Sequence, residues 1–137
     1  DLEFTLKDLD LDRADQRQDD YLARSLLGKV PVLDHDGYWL SESLAIAEYL
    51  AETFPYPGNP RLFPEDLLAR GRCRQIMMWI RTDLVALRRE RPTTTLFYEA
   101  ARNAARPLSA DATAAANELL RVTNQLIRPG RETLLDA

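Results

Sequence analysis

Apolar and polar residues alternate at the start of the chain, whereas in its second half apolar residues recur every three or four positions. Phe4 and Leu6, followed by polar Lys7 and Asp8, carry the period-two pattern of a half-buried strand over residues 4–11. Residues 12–20 are polar and charged and read as a solvated loop. Tyr21, Leu22, Leu26 and Leu27 predict one short helical turn, ended by Gly28. Val30-Pro31-Val32-Leu33 is the next strand, and a proline near its start points to an edge position, a bulge or a cis bond. Asp36-Gly37 is a tight-turn dipeptide ahead of the β-prone Tyr38-Trp39-Leu40, so a hairpin is expected.

Ser41-Glu42-Ser43 then opens a helix, with serine as the expected N-cap. Leu44, Ala47, Leu50 and Phe54 form its apolar side. The run Pro55-Tyr56-Pro57-Gly58-Asn59-Pro60 has the strongest linker composition in the chain and marks the expected domain boundary. Beyond it, Cys73, Ile76, Met77, Ile80, Leu84 and Leu87 predict the buried stripe of one helix over residues 65–89, closed by Pro92. Residues 93–107 show no clear period. Ser109 is placed to cap a last helix, whose apolar side is Leu119, Leu120, Val122 and Leu126, up to Pro129-Gly130. The chain opens on a strand already under way and stops inside the apolar stretch at residues 133–137, so a fragment of a longer protein is expected.

Composition narrows the class. The 137 residues are 45% hydrophobic and 29% charged, which excludes a wholly disordered chain. One cysteine, Cys73, excludes a disulfide framework. The longest apolar run, Ile76-Met77-Met78-Trp79-Ile80, is far short of the ~20 residues of a membrane span. With no visible signal peptide, a cytoplasmic protein without a membrane partner is expected. A net charge of −4 disfavours nucleic acid. Charge is uneven: residues 1–36 hold ten acids and five bases, and residues 65–106 hold five acids and nine bases. The arginines near the end of the 65–89 helix complement its dipole on a solvated face, or else meet a partner subunit or an anionic cleft.

The sequence has no GxxxxGK[ST], GxGxxG or CxxC motif, and a lone histidine, His35, cannot build a zinc site; no metal is expected. His35 reads as a solvated turn residue and Cys73 as a buried, inert thiol, with a reactive thiol as the alternative. Met78 and Trp79 read as core, with a second-substrate pocket as the alternative. The informative stretch is Val30-Pro31-Val32-Leu33 followed by Glu42-Ser43-Leu44-Ala45-Ile46. A cis Val30–Pro31 bond would turn the Val30 backbone outward, where an extended peptide could pair with it. A helix N-terminus at Ser43 favours a carboxylate, and Glu42 could accept a bond from an ammonium group.

This pair of motifs resembles the glutathione-binding half of the cytosolic glutathione transferase family. Arg74-Gln75-Ile76, Trp79-Ile80-Arg81-Thr82-Asp83-Leu84 and Arg88-Arg89-Glu90-Arg91-Pro92-Thr93 further resemble its bacterial YfcF-type branch. The resemblance implies an α+β fold: a partial thioredoxin-like domain over 1–54, a linker over 55–64 and a partial all-helical domain over 65–137. By the same resemblance, Val30 pairs through its backbone with the cysteinyl unit of glutathione, and Pro31 is the cis-proline that shapes it. Ser43 holds the γ-glutamyl carboxylate and Glu42 helps to hold the amino group. Lys29 approaches the glycyl carboxylate or is a solvated surface cation. The sulfur-activating residue is expected upstream of Asp1. The implied function is a transferase that uses glutathione as co-substrate against an electrophile or peroxide, commonly as a homodimer. A non-catalytic binding module is the alternative, and a disulfide-exchanging oxidoreductase is a third reading.

Overall fold

Among the described residues, strand pairing in the first part of the chain is confined to one hairpin. In the computed structural model, which describes residues 2–127, 129 and 130, the chain divides into two units, residues 1–63 and 64–137. Residues 133–137, where the apolar ending was read, lie outside the described residues.

In the first unit, β1 (Val32–His35) and β2 (Tyr38–Ser41) pair antiparallel, with Val32 opposite Ser41 and His35 opposite Tyr38. The two-residue turn is the one expected at Asp36-Gly37. Both residues have positive φ, 53° and 85°, as a type I′ turn requires, and Asp34 Oδ1 accepts a bond from the Gly37 N–H at 3.0 Å. Helix α2 (Ser43–Thr53) folds back on the hairpin through aromatic contacts. His35 lies 5.7 Å from Tyr49 and 5.6 Å from Phe54, and Tyr38 lies 5.6 Å from Tyr49. His35 Nδ1 and the Tyr49 hydroxyl share a hydrogen bond of 2.7 Å. His35 is therefore a half-buried strand residue joining β1 to α2, not the solvated turn residue expected.

Residues 4–11 form no strand. Phe4 and Leu6 are 82% and 74% exposed, and the described sheet has two strands with no third paired to it. Alternation supplies an apolar face, but a strand also needs a neighbour for its N–H and C=O groups. The 12–20 segment is more ordered than a solvated loop. Asp10 Oδ1 accepts from the N–H groups of Asp12 and Arg13, residues Asp15–Arg17 make one 3-10 turn, and α1 (Asp19–Leu22) already begins within it. Helix α1 thus starts earlier than the apolar residues suggest and ends before Leu26, which is 90% exposed.

The second unit is helical throughout its described elements: α3 (Leu67–Thr82), α4 (Val85–Glu90), α5 (Thr93–Phe97), α6 (Glu99–Asn103) and α7 (Ala110–Leu126). The single helix expected over 65–89 is therefore two. The single proton of the Thr82 hydroxyl is shared between the Met78 carbonyl, at 3.0 Å, and the Asp83 carboxylate, side-chain bonding that competes with helix continuation. Leu84 then leaves helical geometry at ψ 22°. On α3, Cys73, Ile76 and Met77 are half-buried and Ile80 is 43% exposed; beyond the break Leu84 is buried and Leu87 half-buried.

Helix α4 packs on α7, and their ends are tied together. Ser109 is the expected N-cap, its Oγ accepting from the Ala112 N–H at 3.2 Å. The Glu90 carboxylate accepts from both the Ser109 N–H, at 2.9 Å, and the Ser109 hydroxyl. These bonds favour the ionised carboxylate and hold Glu90 below its ordinary pKa of 4.5. The arginines near the end of α4 serve exposed carbonyls. Arg88 donates to the Arg81 carbonyl at the end of α3, and Arg91 to the carbonyls of Glu90 and Arg106. Pro92, read as the stop of the long helix, is the residue before α5.

Candidate functional site

The β1–β2 register brings the two motif halves together. Its last pair is Val32–Ser41, so Pro31 and Glu42 each lie one residue beyond it, and Val30 and Ser43 two residues beyond it. All four positions follow directly on the last pair, at the open end of the hairpin. The Val30–Pro31 bond is cis, as expected. Val30 is 45% exposed and lies outside the ladder. Lys29, Pro31 and Ser43 are exposed, and Glu42 is half-buried.

Helix α2 starts differently from the expectation. Its N-cap is Glu42, with no side-chain cap bond, and Ser43 is its first residue. The Ile46 N–H is the one that reaches the Glu42 carbonyl, which leaves the earlier N–H groups of the turn outside the helix's own ladder. Glu42 holds φ 75° and ψ 112°, a conformation that a non-glycine residue adopts only where its surroundings impose it. The strain sits between the hairpin and α2, at the residue that aims Ser43.

Residues not singled out for chemistry hold the other half. Tyr21, read only as an apolar helical position, donates its hydroxyl to the Lys29 carbonyl at 2.8 Å. Ser25 is 1% exposed, and its Oγ accepts from the Gly28 N–H at 3.1 Å. Ser25 Oγ and Ser41 Oγ share a further hydrogen bond of 3.4 Å. Gly28 has φ +57° and sits so tightly that a Cβ there would come within 2.6 Å of Leu22 Cδ2. The guanidinium of Arg24 stacks 5.2 Å over Trp39 of β2. The 21–29 segment is thus fastened to the hairpin just upstream of Val30. A tyrosine and a serine in an apolar-looking turn carry no sequence signal for this fastening, whereas Gly28 did mark the turn.

Chemically, the cluster offers the backbone of an exposed residue outside the ladder, a helix N-terminus with an exposed serine, and a carboxylate beside it. Such a set suits an extended small peptide with a free amino-acid end. Met78 and Trp79, at 53% exposure and half-buried, lie on α3 in the second unit, and Cys73 Sγ meets Met77 Sδ at 3.7 Å on the same helix. Among the described residues no group of three or more His, Cys, Asp or Glu side chains is placed to hold a metal ion, and no helix is long and apolar enough to cross a membrane.

Two family models cover most of the chain. Residues 1–52 match the N-terminal domain of glutathione S-transferase and residues 66–137 match its C-terminal domain. The chain belongs to the glutathione S-transferase family. Its fold is α+β, a thioredoxin-like unit followed by an all-helical one. A maleylacetoacetate isomerase from Dictyostelium discoideum is 38% identical over 76 residues, which are 56% of this chain and 33% of that protein. The glutathione S-transferase hmp2 of Hypomyces subiculosus is 41% identical over 69 residues, 49% of this chain and 32% of that protein. Among solved structures, a glutathione transferase homologue from a Burkholderia strain, with bound glutathione, superposes with a TM-score of 0.74 at 31% identity, covering 99% of this chain and 59% of the other. A maleylacetoacetate isomerase from Methylobacterium extorquens, with malonate and glutathione bound, gives 0.60 at 34% identity, covering 94% and 61%. This chain therefore spans about a third of the length of these curated relatives and about three fifths of these solved structures.

Proposed function

We propose that the protein containing this chain is a glutathione S-transferase that binds glutathione at the open end of the β1–β2 hairpin. The observation that carries the reading is the Val32–Ser41 register, which sets Val30–Pro31 beside Glu42–Ser43. In this reading the Val30 backbone pairs with the cysteinyl unit, and Pro31 shapes that segment. Ser43 binds the γ-glutamyl carboxylate at the start of α2, Glu42 helps to hold the amino group, and Lys29 approaches the glycyl carboxylate. Two solved structures similar to this chain hold glutathione, which supports the choice of ligand.

The chemistry follows from thiolate control. A free thiol has a pKa near ~8.5, so only a few per cent is thiolate at neutral pH, and a bound, stabilised thiolate attacks an electrophile or reduces a peroxide. Residues 1–54 act as the glutathione domain, 55–64 as a linker and 65–137 as the helical domain. The protein works as a cytoplasmic homodimer without a metal, a nucleic-acid partner or a membrane partner, in the bacterial YfcF-type branch. The test is glutathione conjugation to a panel of chromogenic electrophiles, and peroxide reduction, by the intact protein. Turnover above the uncatalysed rate supports the transferase. Tight glutathione binding without turnover of any substrate would instead make it a binding module.

A further inference from the structure

We infer that Tyr21 is a positioning residue for the Val30 backbone, an inference that rests on the glutathione reading above. The Tyr21 hydroxyl donates to the Lys29 carbonyl at 2.8 Å. That carbonyl belongs to the peptide plane that also carries the Val30 N–H, and the Lys29–Val30 bond is trans, the cis bonds being Val30–Pro31 and Tyr56–Pro57. In a trans peptide the C=O and N–H are coplanar and point in opposite directions. Pinning the Lys29 oxygen toward α1 therefore fixes the Val30 N–H on the far side of the plane. A carbonyl that accepts a bond also polarises its own amide, which makes that N–H a better donor.

The anchor is itself held from behind. The Ser25 N–H donates to the Tyr21 carbonyl at 2.8 Å, and the Ser25 hydroxyl takes the Gly28 N–H. Tyr21 thus sits on a turn fastened at both ends of the Ser25–Gly28 loop. The Val30 peptide is aimed by a side chain nine residues upstream that needs no contact with glutathione. Loss of one neutral hydrogen bond predicts a two- to tenfold effect, roughly, felt in glutathione binding and not in the chemical step.

The experiment compares intact wild-type protein with Tyr21→Phe, which keeps the ring and removes the donor. Glutathione affinity is read by calorimetry, steady-state constants with a chromogenic electrophile, and the Val30 amide resonance by NMR. The expected result is a glutathione Kd and KM raised about two- to tenfold. The kcat and the electrophile KM stay unchanged, and the Val30 amide resonance moves in the free protein. An unchanged glutathione KM, or a fall in kcat with the glutathione KM intact, overturns the role. Should Tyr21→Phe fail to fold, 3-fluorotyrosine at position 21, a stronger donor, is assayed below the pH at which its phenol ionises. A lowered glutathione KM supports the role and an unchanged one overturns it. Wild-type protein that binds no glutathione overturns both this role and the functional reading, whereas binding by wild type with an indifferent variant overturns this role alone.

Discussion

Val32 stands opposite Ser41 at the open end of the hairpin, and this one pairing sets Val30–Pro31 beside Glu42–Ser43. A slip of one residue would turn every side chain of β1 to the other face of the sheet. The turn prevents that slip, because Asp36 and Gly37 both adopt the positive φ of a two-residue I′ loop. The site is thus set by the turn at the far end of the hairpin.

On the proposed reading, Ser43→Ala in the intact protein removes a hydrogen bond to a charged carboxylate and should weaken glutathione binding by about 1.5–3 kcal/mol. Fold stability should hardly change, because Glu42 occupies the N-cap and Ser43 is the first helical residue. Calorimetry and urea unfolding on the same variant separate the two effects. Unchanged affinity would remove Ser43 from the site.

Gly28→Ala should destabilise the first unit by about 1 kcal/mol or more, since alanine is strained at φ +57°. The urea midpoint should fall. An unchanged midpoint would show that the 21–29 turn is not held as described.

How much of this was legible in the sequence depended on how local each determinant is. The Asp36-Gly37 hairpin, the Ser109 cap and the motif halves around Pro31 and Ser43 each rest on a few adjacent residues, and each was read from them. The positive φ of Glu42 was not legible, because glutamate has no preference for that region and the strain is imposed by the hairpin and α2 on either side. Residues 4–11 failed because alternation reports a face and says nothing about a partner strand. The long helix over 65–89 failed because the backbone leaves helical geometry at Leu84, just after the side-chain bonds of Thr82, while the apolar spacing runs on through the break. The five-residue helices α5 and α6 are too short for a period to show.

Ile80 and Leu84 carry opposite expectations. Leu84→Ala should cost about 2–5 kcal/mol, as a truncation at a buried site leaves a cavity, while Ile80→Ala, at 43% exposure, should cost much less. Urea unfolding of the two variants in the intact protein ranks them. A larger loss at Ile80 would mean that its face is covered in the assembled protein, as the proposed dimer allows.

The Glu90–Ser109 bonds tie stability to pH. Their effect is to lower the folded-state pKa of Glu90, so the stabilisation is fully present above the ordinary value of 4.5 and is lost as pH falls through the lower folded-state value. The difference in urea midpoint between wild type and Glu90→Gln should therefore be largest at neutral pH and shrink below about pH 4.5. A difference that stays constant with pH would show that the carboxylate charge is not what Ser109 holds.

The most direct test of the central claim is a crystal structure of the intact protein with glutathione. The account predicts the cysteinyl unit paired with the Val30 backbone, the γ-glutamyl carboxylate on the Ser43 hydroxyl and N–H, and Lys29 toward the glycyl end. Glutathione bound elsewhere on the protein, with Val30 and Ser43 untouched, would contradict it.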